Sequence, residues 1–309
     1  MLMRLRRLEQ AKMNNDYRAG FVSFVGRPNV GKSTLTNALV GEKVAITSSK
    51  PQTTRRAIRG IVHRDYGQLI IVDTPGLHRP RTLLGQRLND LVESTLGDVD
   101  VIGFCIPANE KIAAGDTFIN EQLNNYRRAK LVAIVTKCEL VSKEQLAKQL
   151  LAVQGLREWS AIIPVSAVAE EQLEELTSLL VSLMPKSEQL YPDEAVTDET
   201  IEARICELVR EAALEGVRDE LPHSLAVTLD EMNQREGKDL IDVHVNVWVE
   251  RDSQKAIVIG HKGSRLSDVG RRARLEIEKL LGQRVFLSIR VKVAPDWQRD
   301  PKQLGRLGF

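Results

Sequence analysis

Gly26-Arg27-Pro28-Asn29-Val30-Gly31-Lys32-Ser33 stands directly after the apolar run Phe21-Val22-Ser23-Phe24-Val25 and before a helical pattern from Thr34 to Val40. The spacing is G-x-x-x-x-G-K-S, a phosphate-binding loop. An apolar strand that feeds a glycine-rich turn and then a helix directs several backbone N–H groups, and the positive end of the helix, at one point. Polyphosphate is the ligand this predicts. Gly26 and Gly31 allow the turn and a close backbone approach, Lys32 reaches the β- and γ-phosphates, and the Ser33 hydroxyl is a magnesium ligand. Arg27, Pro28, Asn29, Val30 and Thr34 complete the predicted contact surface.

Outward from this loop, strand and helix patterns alternate, which predicts a doubly wound α/β domain with its site at the carboxyl ends of the strands. Strands are expected over Phe21 to Val25, Ala57 to Arg64, Gln68 to Val72, Val99 to Ile106, Lys130 to Thr136 and Ala161 to Val165. Helical patterns follow Ser33, Asp116, Ser142 and Glu170, and fill the stretch Leu83 to Leu96. Motifs at the ends of these strands are therefore expected to converge on one pocket.

The third strand ends in Asp73-Thr74-Pro75-Gly76, then Leu77. Asp73 suits the metal, and Gly76 suits a loop that swings to offer its N–H to a γ-phosphate. Between the first helix and the second strand, Ser48-Ser49-Lys50-Pro51-Gln52-Thr53-Thr54-Arg55-Arg56 is polar and poorly periodic, as a loop is. A threonine here completes the magnesium shell, Thr54 first and Thr53 second, since either hydroxyl reaches. The fifth strand ends in Thr136-Lys137-Cys138-Glu139, where a carboxylate can accept both donors of guanine while the lysine stem covers the base. Adenine, with an acceptor at that edge, is refused. Val165-Ser166-Ala167 after the sixth strand places a backbone N–H for the guanine carbonyl.

At 309 residues and 42% hydrophobic content the chain can build two cores. A net charge of +2 leaves any nucleic-acid surface to local clustering, and 4% aromatic content argues against recognition by stacking. Cys105, Cys138 and Cys206 are odd in number and lack C-x-x-C spacing, which fits a reducing cytoplasm and ordinary thiols rather than zinc. No apolar run reaches membrane-spanning length, and the basic start Met1 to Leu8 has no apolar core of a secretory signal.

Past Met184-Pro185 the polar run through Tyr191-Pro192-Asp193 to Thr200 reads as a linker. The domain limits expected are a tail over 1–18, a nucleotide-binding domain over 19–185, a linker over 186–200, a second domain over 201–295 and a C-terminal tail over 296–309. Ile201 to Val217 has helical spacing, and Ser224 to Leu229 and Asp239 to Val249 alternate as half-buried strands. Lys255 to Ile259 leads into Gly260-His261-Lys262-Gly263, a basic helix from Ser264 to Leu281 and a last strand from Val285 to Val293. In that order G-x-x-G resembles the loop of a type II KH domain, which clamps a single-stranded nucleic-acid backbone. Lys262 and Arg265 neutralise phosphates, Arg271 and Arg272 extend the basic surface, and Ile257 and Ile259 line the base groove or pack in the core.

The order G-R-P-N-V-G-K-S, Q-T-T-R, D-T-P-G, T-K-C-E and S-A resembles the Era group of translation-factor-like GTPases, and with the KH-like half the resemblance spans nearly the full chain. It implies magnesium-dependent hydrolysis of GTP to GDP, with Lys32, Thr54, Gly76 and Asn29 in the catalytic set and Ser33, Thr54 and Asp73 on the metal. It also implies a monomeric, cytoplasmic switch that binds the 3′ end of 16S ribosomal RNA and acts in assembly of the 30S subunit. Peripheral attachment to the inner face of the membrane is known in the group, though no amphipathic anchor here requires it. In related GTPases the asparagine equivalent to Asn29 helps hold K⁺.

Two departures stand out. Glu139 replaces the group's usual aspartate and is one methylene longer, so guanine selectivity is expected with weaker affinity. Leu77 stands where some GTPases place a water-orienting glutamine, which predicts slow intrinsic turnover. Both departures favour an alternative, a non-catalytic RNA-binding module with a structural nucleotide site. A tandem GTPase is excluded by the single G-x-x-x-x-G-K-S.

Overall fold

The computed structural model describes residues 16–48, 53–76, 82–216 and 221–309, with the backbone alone for Pro222 and His223. Leu77, the loop segment 49–52 and the basic start Met1 to Leu8 lie outside the described residues. The described residues fall into two compact units, one drawn from Met1–Ala45, Thr54–His78 and Leu88–Asp198, the other from Ile46–Thr53, Arg79–Arg87 and Glu199–Phe309.

In the first unit β1 (Arg18–Val25), β2 (Ile58–Arg64), β3 (Gly67–Asp73), β4 (Val101–Pro107), β5 (Lys130–Thr136) and β6 (Ala161–Pro164) form a six-stranded sheet in the order β2-β3-β1-β4-β5-β6. β2 runs antiparallel to β3, and the other pairs are parallel. β3 and β4 are buried at every position, as parallel strands covered on both faces must be. Cores lie on both sides: Val22, Phe24, Leu35 and Leu180 on one, Ile102, Phe104, Ile119 and Val153 on the other. The helices are α1 (Lys32–Val40), α2 (Leu83–Asp98), of which residues 88–98 belong to this unit, α3 (Ala114–Gln122), α4 (Lys143–Gln154) and α5 (Leu173–Leu183). Each expected strand and helix of this half is present. The stretch after Pro185 follows the same sheet, with bridges Arg18–Lys186 and Gly60–Thr197.

The second unit holds α6 (Ile201–Leu214), the single turn α7 (Leu221–Ser224), β7 (Ala226–Gln234), β8 (Ile241–Val249), α8 (Asp252–Ile259), α9 (Ser264–Leu281), β9 (Val285–Val293) and α10 (Pro301–Arg306). Its sheet has the order β7-β8-β9, antiparallel then parallel. Val243, Val245, Val247 and Val249 alternate inward from β8 onto Val209, Val269, Ala273 and Ile277 of α6 and α9. After β9 the chain stays packed: Trp297 is fully buried, stacks on Phe309 at 5.5 Å and donates its indole N–H to Ser224 O at 3.0 Å. Among the described residues no helix is long and apolar enough to cross a membrane.

Candidate nucleotide and nucleic-acid sites

The phosphate loop joins β1 to α1. A Cβ on Gly26 would stand 2.6 Å from the carbonyl oxygen of Cys105, so only glycine lets the loop pass β4 this closely. Lys32 lies back across the loop, its ammonium donating to Gly26 O and Arg27 O, both at 3.1 Å. Its enclosure pulls it below lysine's usual pKa, against the opposing pull of Asp73. Asn29, at the exposed tip, sits in the left-handed region at φ 65.

Beside the lysine, three expected metal ligands converge. Ser33 Oγ donates to Asp73 Oδ2 at 2.8 Å, Thr54 Oγ1 donates to the same oxygen at 3.1 Å, and the two hydroxyls are 3.3 Å apart. Helix α1, the loop before β2 and the end of β3 supply one each. Asp73 is fully buried and its Oδ1 has no hydrogen-bond partner. Burial pushes its carboxyl above the usual range, against Ser33, Lys32 and Thr54. Magnesium takes oxygen ligands of this kind, with water and phosphate oxygens completing its octahedral shell, and a buried carboxylate with one unmatched oxygen fits it. The threonine hydroxyl that meets Ser33 and Asp73 is that of Thr54, the first choice over Thr53, and Gly76 lies close: a Cβ there would be 3.9 Å from Lys32 Nζ. Thr74 is buried with its hydroxyl 3.4 Å from that of Ser23, and Pro75 follows it out of β3.

The base motif is tied to the phosphate loop, since Thr136 Oγ1 donates to Val30 O at 2.7 Å. Lys137 turns through φ 60, and Cys138 and exposed Glu139 begin a single turn of 3₁₀ helix. The Cys138 thiol donates to Val165 O at 2.7 Å, joining this motif to Val165-Ser166-Ala167. Burial pushes that thiol up to about 11 and the Cys105 thiol up to about 12, so neither is a nucleophile at neutral pH. Ser166 Oγ accepts from Ala169 N at 3.0 Å, which folds the chain around Ala167.

Sequence reasoning missed what holds the phosphate loop from behind. Arg27 Nε donates to Asp116 Oδ1 at 2.8 Å, and its Nη2 is 3.1 Å from Glu110 Oε2. Asp116 is fully buried and its other oxygen caps the start of α3, accepting from Ala113 N at 2.9 Å. A Cβ on Gly115 would press on Arg27 Cδ at 2.8 Å.

In the second unit, Gly260-His261-Lys262-Gly263 links α8 to α9 with His261 and Lys262 exposed. Gly260 holds φ 73, and a Cβ there would stand 2.6 Å from that of Arg265. From Gly263 a groove of about 410 Å³ runs between α9 and β9, lined by Leu266, Ser267, Gly270, Arg271, Arg274, Leu287 and Ile289. Ile257 and Ile259 are elsewhere: the first is 52% exposed and the second packs against the core. Arg265 is also placed differently from the expectation. Its guanidinium donates to Ala213 O at 3.1 Å and Glu215 O at 2.9 Å, because the last carbonyls of α6 lack helical partners and attract a cation. Arg272 pairs with Glu215 and Asp268 instead of facing the groove. Leu287 and Ile289 were unmarked in the sequence because strand alternation gives their face but not their neighbour.

Residues 21–137 match the family described as 50S ribosome-binding GTPase, and residues 220–298 match the KH domain. The chain is 72% identical over 295 residues to the GTPase Era of Leifsonia xyli subsp. xyli, covering 95% of this chain and 99% of that one. It is 63% identical over 298 residues to that of Mycobacterium sp. (strain JLS), covering 96% and 100%. The chain belongs to the Era family of GTPases. A crystal structure of a point variant of Aquifex aeolicus Era bound to GDP·AlF4⁻ superposes on this Era-family chain with a TM-score of 0.90 at 33% identity, covering 94% of this chain and 99% of that one. A second, Era in complex with MgGDPNP and nucleotides 1506–1542 of 16S ribosomal RNA, gives 0.89 at 33% identity over the same shares. As an Era-family member the chain is a GTPase whose second domain is a KH domain, and the non-catalytic alternative is set aside.

Proposed function

We propose that this GTPase is a magnesium-dependent switch that binds the 3′ end of 16S ribosomal RNA through its KH groove and acts in maturation of the 30S subunit. The observation that carries the reading is the meeting of Ser33, Thr54 and Asp73 on one buried carboxylate oxygen beside Lys32, in a chain that also holds an open G-x-x-G groove. Lys32 binds the β- and γ-phosphates, and the loop from Gly26 to Thr34 wraps the rest through backbone N–H groups. Ser33, Thr54 and Asp73 would hold the magnesium, which when bound would supply charge neutralisation at the transferred phosphate. Thr136 to Glu139 and Val165 to Ala167 take guanine. The RNA reading rests on the relative solved with nucleotides 1506–1542 of 16S ribosomal RNA, together with exposed Lys262 next to Gly263, which lines a groove with Arg271 and Arg274. The domain limits 19–185 and 201–295 go with it.

Multiple-turnover phosphate release and binding of a labelled 16S 3′-end RNA test both halves. Lys32→Ala abolishes the first and Gly260→Asp or Lys262→Asp the second, since a carboxylate there repels phosphates. RNA affinity unchanged by either G-x-x-G variant would remove the groove from the reading. Asn29 is the potassium candidate, so hydrolysis runs faster in KCl than in NaCl at equal ionic strength; equal rates would remove it.

A further inference from the structure

Strand β9 has two working faces. Leu287 and Ile289 point toward α9 and line the KH groove, so by alternation Phe286, Ser288, Arg290 and Lys292 point to the other side of the sheet. Along that side their register partners on β8 are Asp242, His244, Asn246 and Trp248. Trp248 is anchored by its indole N–H, which donates to Thr228 Oγ1 at 2.9 Å. Lys292 Nζ lies 5.4 Å from its ring centroid and Arg306 Cζ 5.3 Å, so one indole gathers two cations. Arg306 is held there because Leu304 and Leu307, on either side of it, are buried.

The charges on this face are unequally matched. Arg235 pairs with Asp242, and Arg290 stands 3.9 Å from Asp230. Among the described residues no carboxylate lies within ion-pair distance of Lys292 or Arg306. Two like charges held together without an anion favour binding one. Beside them Asn246 is 3% exposed, and its Oδ1 lacks a partner although Arg290 is its register neighbour.

We propose that Lys292 and Arg306 around Trp248, with Arg290 beside them, form a second RNA-contact site that takes backbone phosphates of the strand continuing beyond the KH groove. This rests on the RNA reading above. A G-x-x-G loop clamps about four nucleotides, so a longer single strand must lie on something else. β9 is the edge strand of its sheet, which leaves only its own width between the groove and this face. From Ile289 to Lys292 the rise is about 10 Å, within reach of the next nucleotides. The indole is already occupied by its cations, so it positions them and leaves the contact to phosphate, independent of base identity.

The test is fluorescence anisotropy with the full chain and two RNAs from the 3′ end of 16S ribosomal RNA, one of about four nucleotides and one of about twelve. The double variant Lys292→Glu/Arg306→Glu binds the long RNA at least about tenfold more weakly, and its salt slope falls by about 1.4, the share of two phosphates on a single strand. The short RNA is bound as by wild type, and Lys292→Arg retains the long one. Long-RNA affinity and salt slope equal to wild type would overturn the site, as would an equal loss for both RNAs. If wild type binds neither RNA, the RNA reading itself falls and this site with it.

Discussion

Asp73 is the residue on which the proposed magnesium site turns. Its carboxylate is fully buried, one oxygen accepts from two hydroxyls, and the other accepts from nothing. Because the folded pKa is raised, the charged form opposes folding of the nucleotide-free protein at neutral pH. That opposition shrinks as pH falls through the folded pKa and is gone below the ordinary value of 3.8. Asp73→Asn is therefore expected to melt, without ligand at pH 7, at or above the wild-type temperature, with the difference narrowing in acid. The same variant loses the stabilisation that Mg·GTP gives wild type, about 2.7 kcal/mol at a hundred times Kd. Thermal melts with and without Mg·GTP decide it; a variant that is less stable when empty yet still stabilised would remove Asp73 from the metal. Glu139 carries the second residue-level expectation. Its side chain is exposed at the start of a 3₁₀ turn and is one methylene longer than the usual aspartate. Glu139→Asp should tighten GTP binding severalfold and leave ATP rejected, and titration of GTP, XTP and ATP against both proteins checks this. Indifference to the base in both would refute the guanine pocket.

At the scale of elements, the phosphate loop is held by α3 as much as by its own glycines. Arg27 reaches Asp116 at 2.8 Å, and Asp116 simultaneously caps α3. Asp116→Asn weakens the ion pair and leaves a partly buried guanidinium under-matched, at about 1–3 kcal/mol. If about 1.4 kcal/mol of that appears as loss of loop order, GTP affinity falls about tenfold. Glu110→Gln, on the exposed partner, should change it little. Nucleotide affinities of the two variants distinguish a clamp from a surface pair; equal affinities would remove the clamp. This contact shows why some of the site was legible and some was not. The phosphate loop, D-T-P-G and T-K-C-E declare themselves because each is a short run whose residue types follow from its own backbone and ligand. Strands such as β3 declare themselves by unbroken Leu, Ile and Val. Arg27 and Asp116 are 89 residues apart, and nothing local in either marks the other. Arg265, following G-x-x-G, is expected on phosphate, yet the carbonyls at the end of α6 bind it here. The groove wall at Leu287 and Ile289 needed the packing of β9 beside α9 to be seen.

At the scale of the molecule, one chain carries a nucleotide site on a six-stranded sheet and an open groove on a three-stranded one. Two ligands on one chain amount to a switch only if each changes the other's affinity. In the proposed reading, the loop that bears Thr54 and the loop that bears Gly76 distinguish GTP from GDP, because only the former has a γ-phosphate for both to meet. The coupling expected is about 5–150-fold in RNA affinity between the two nucleotide states. Linkage fixes a second measurement: whatever factor GTP applies to binding of the 16S 3′-end RNA, saturating RNA must apply to binding of GTP. Anisotropy of labelled RNA with a non-hydrolysable GTP analogue, with GDP and with neither, paired with titration of the analogue against RNA-saturated protein, gives both numbers independently. Equal factors above unity establish one shared equilibrium. Equal RNA affinity in all three states would leave a GTPase and an RNA binder that share only a chain, and the Thr54→Ala variant should reproduce that outcome if its hydroxyl is the sensor.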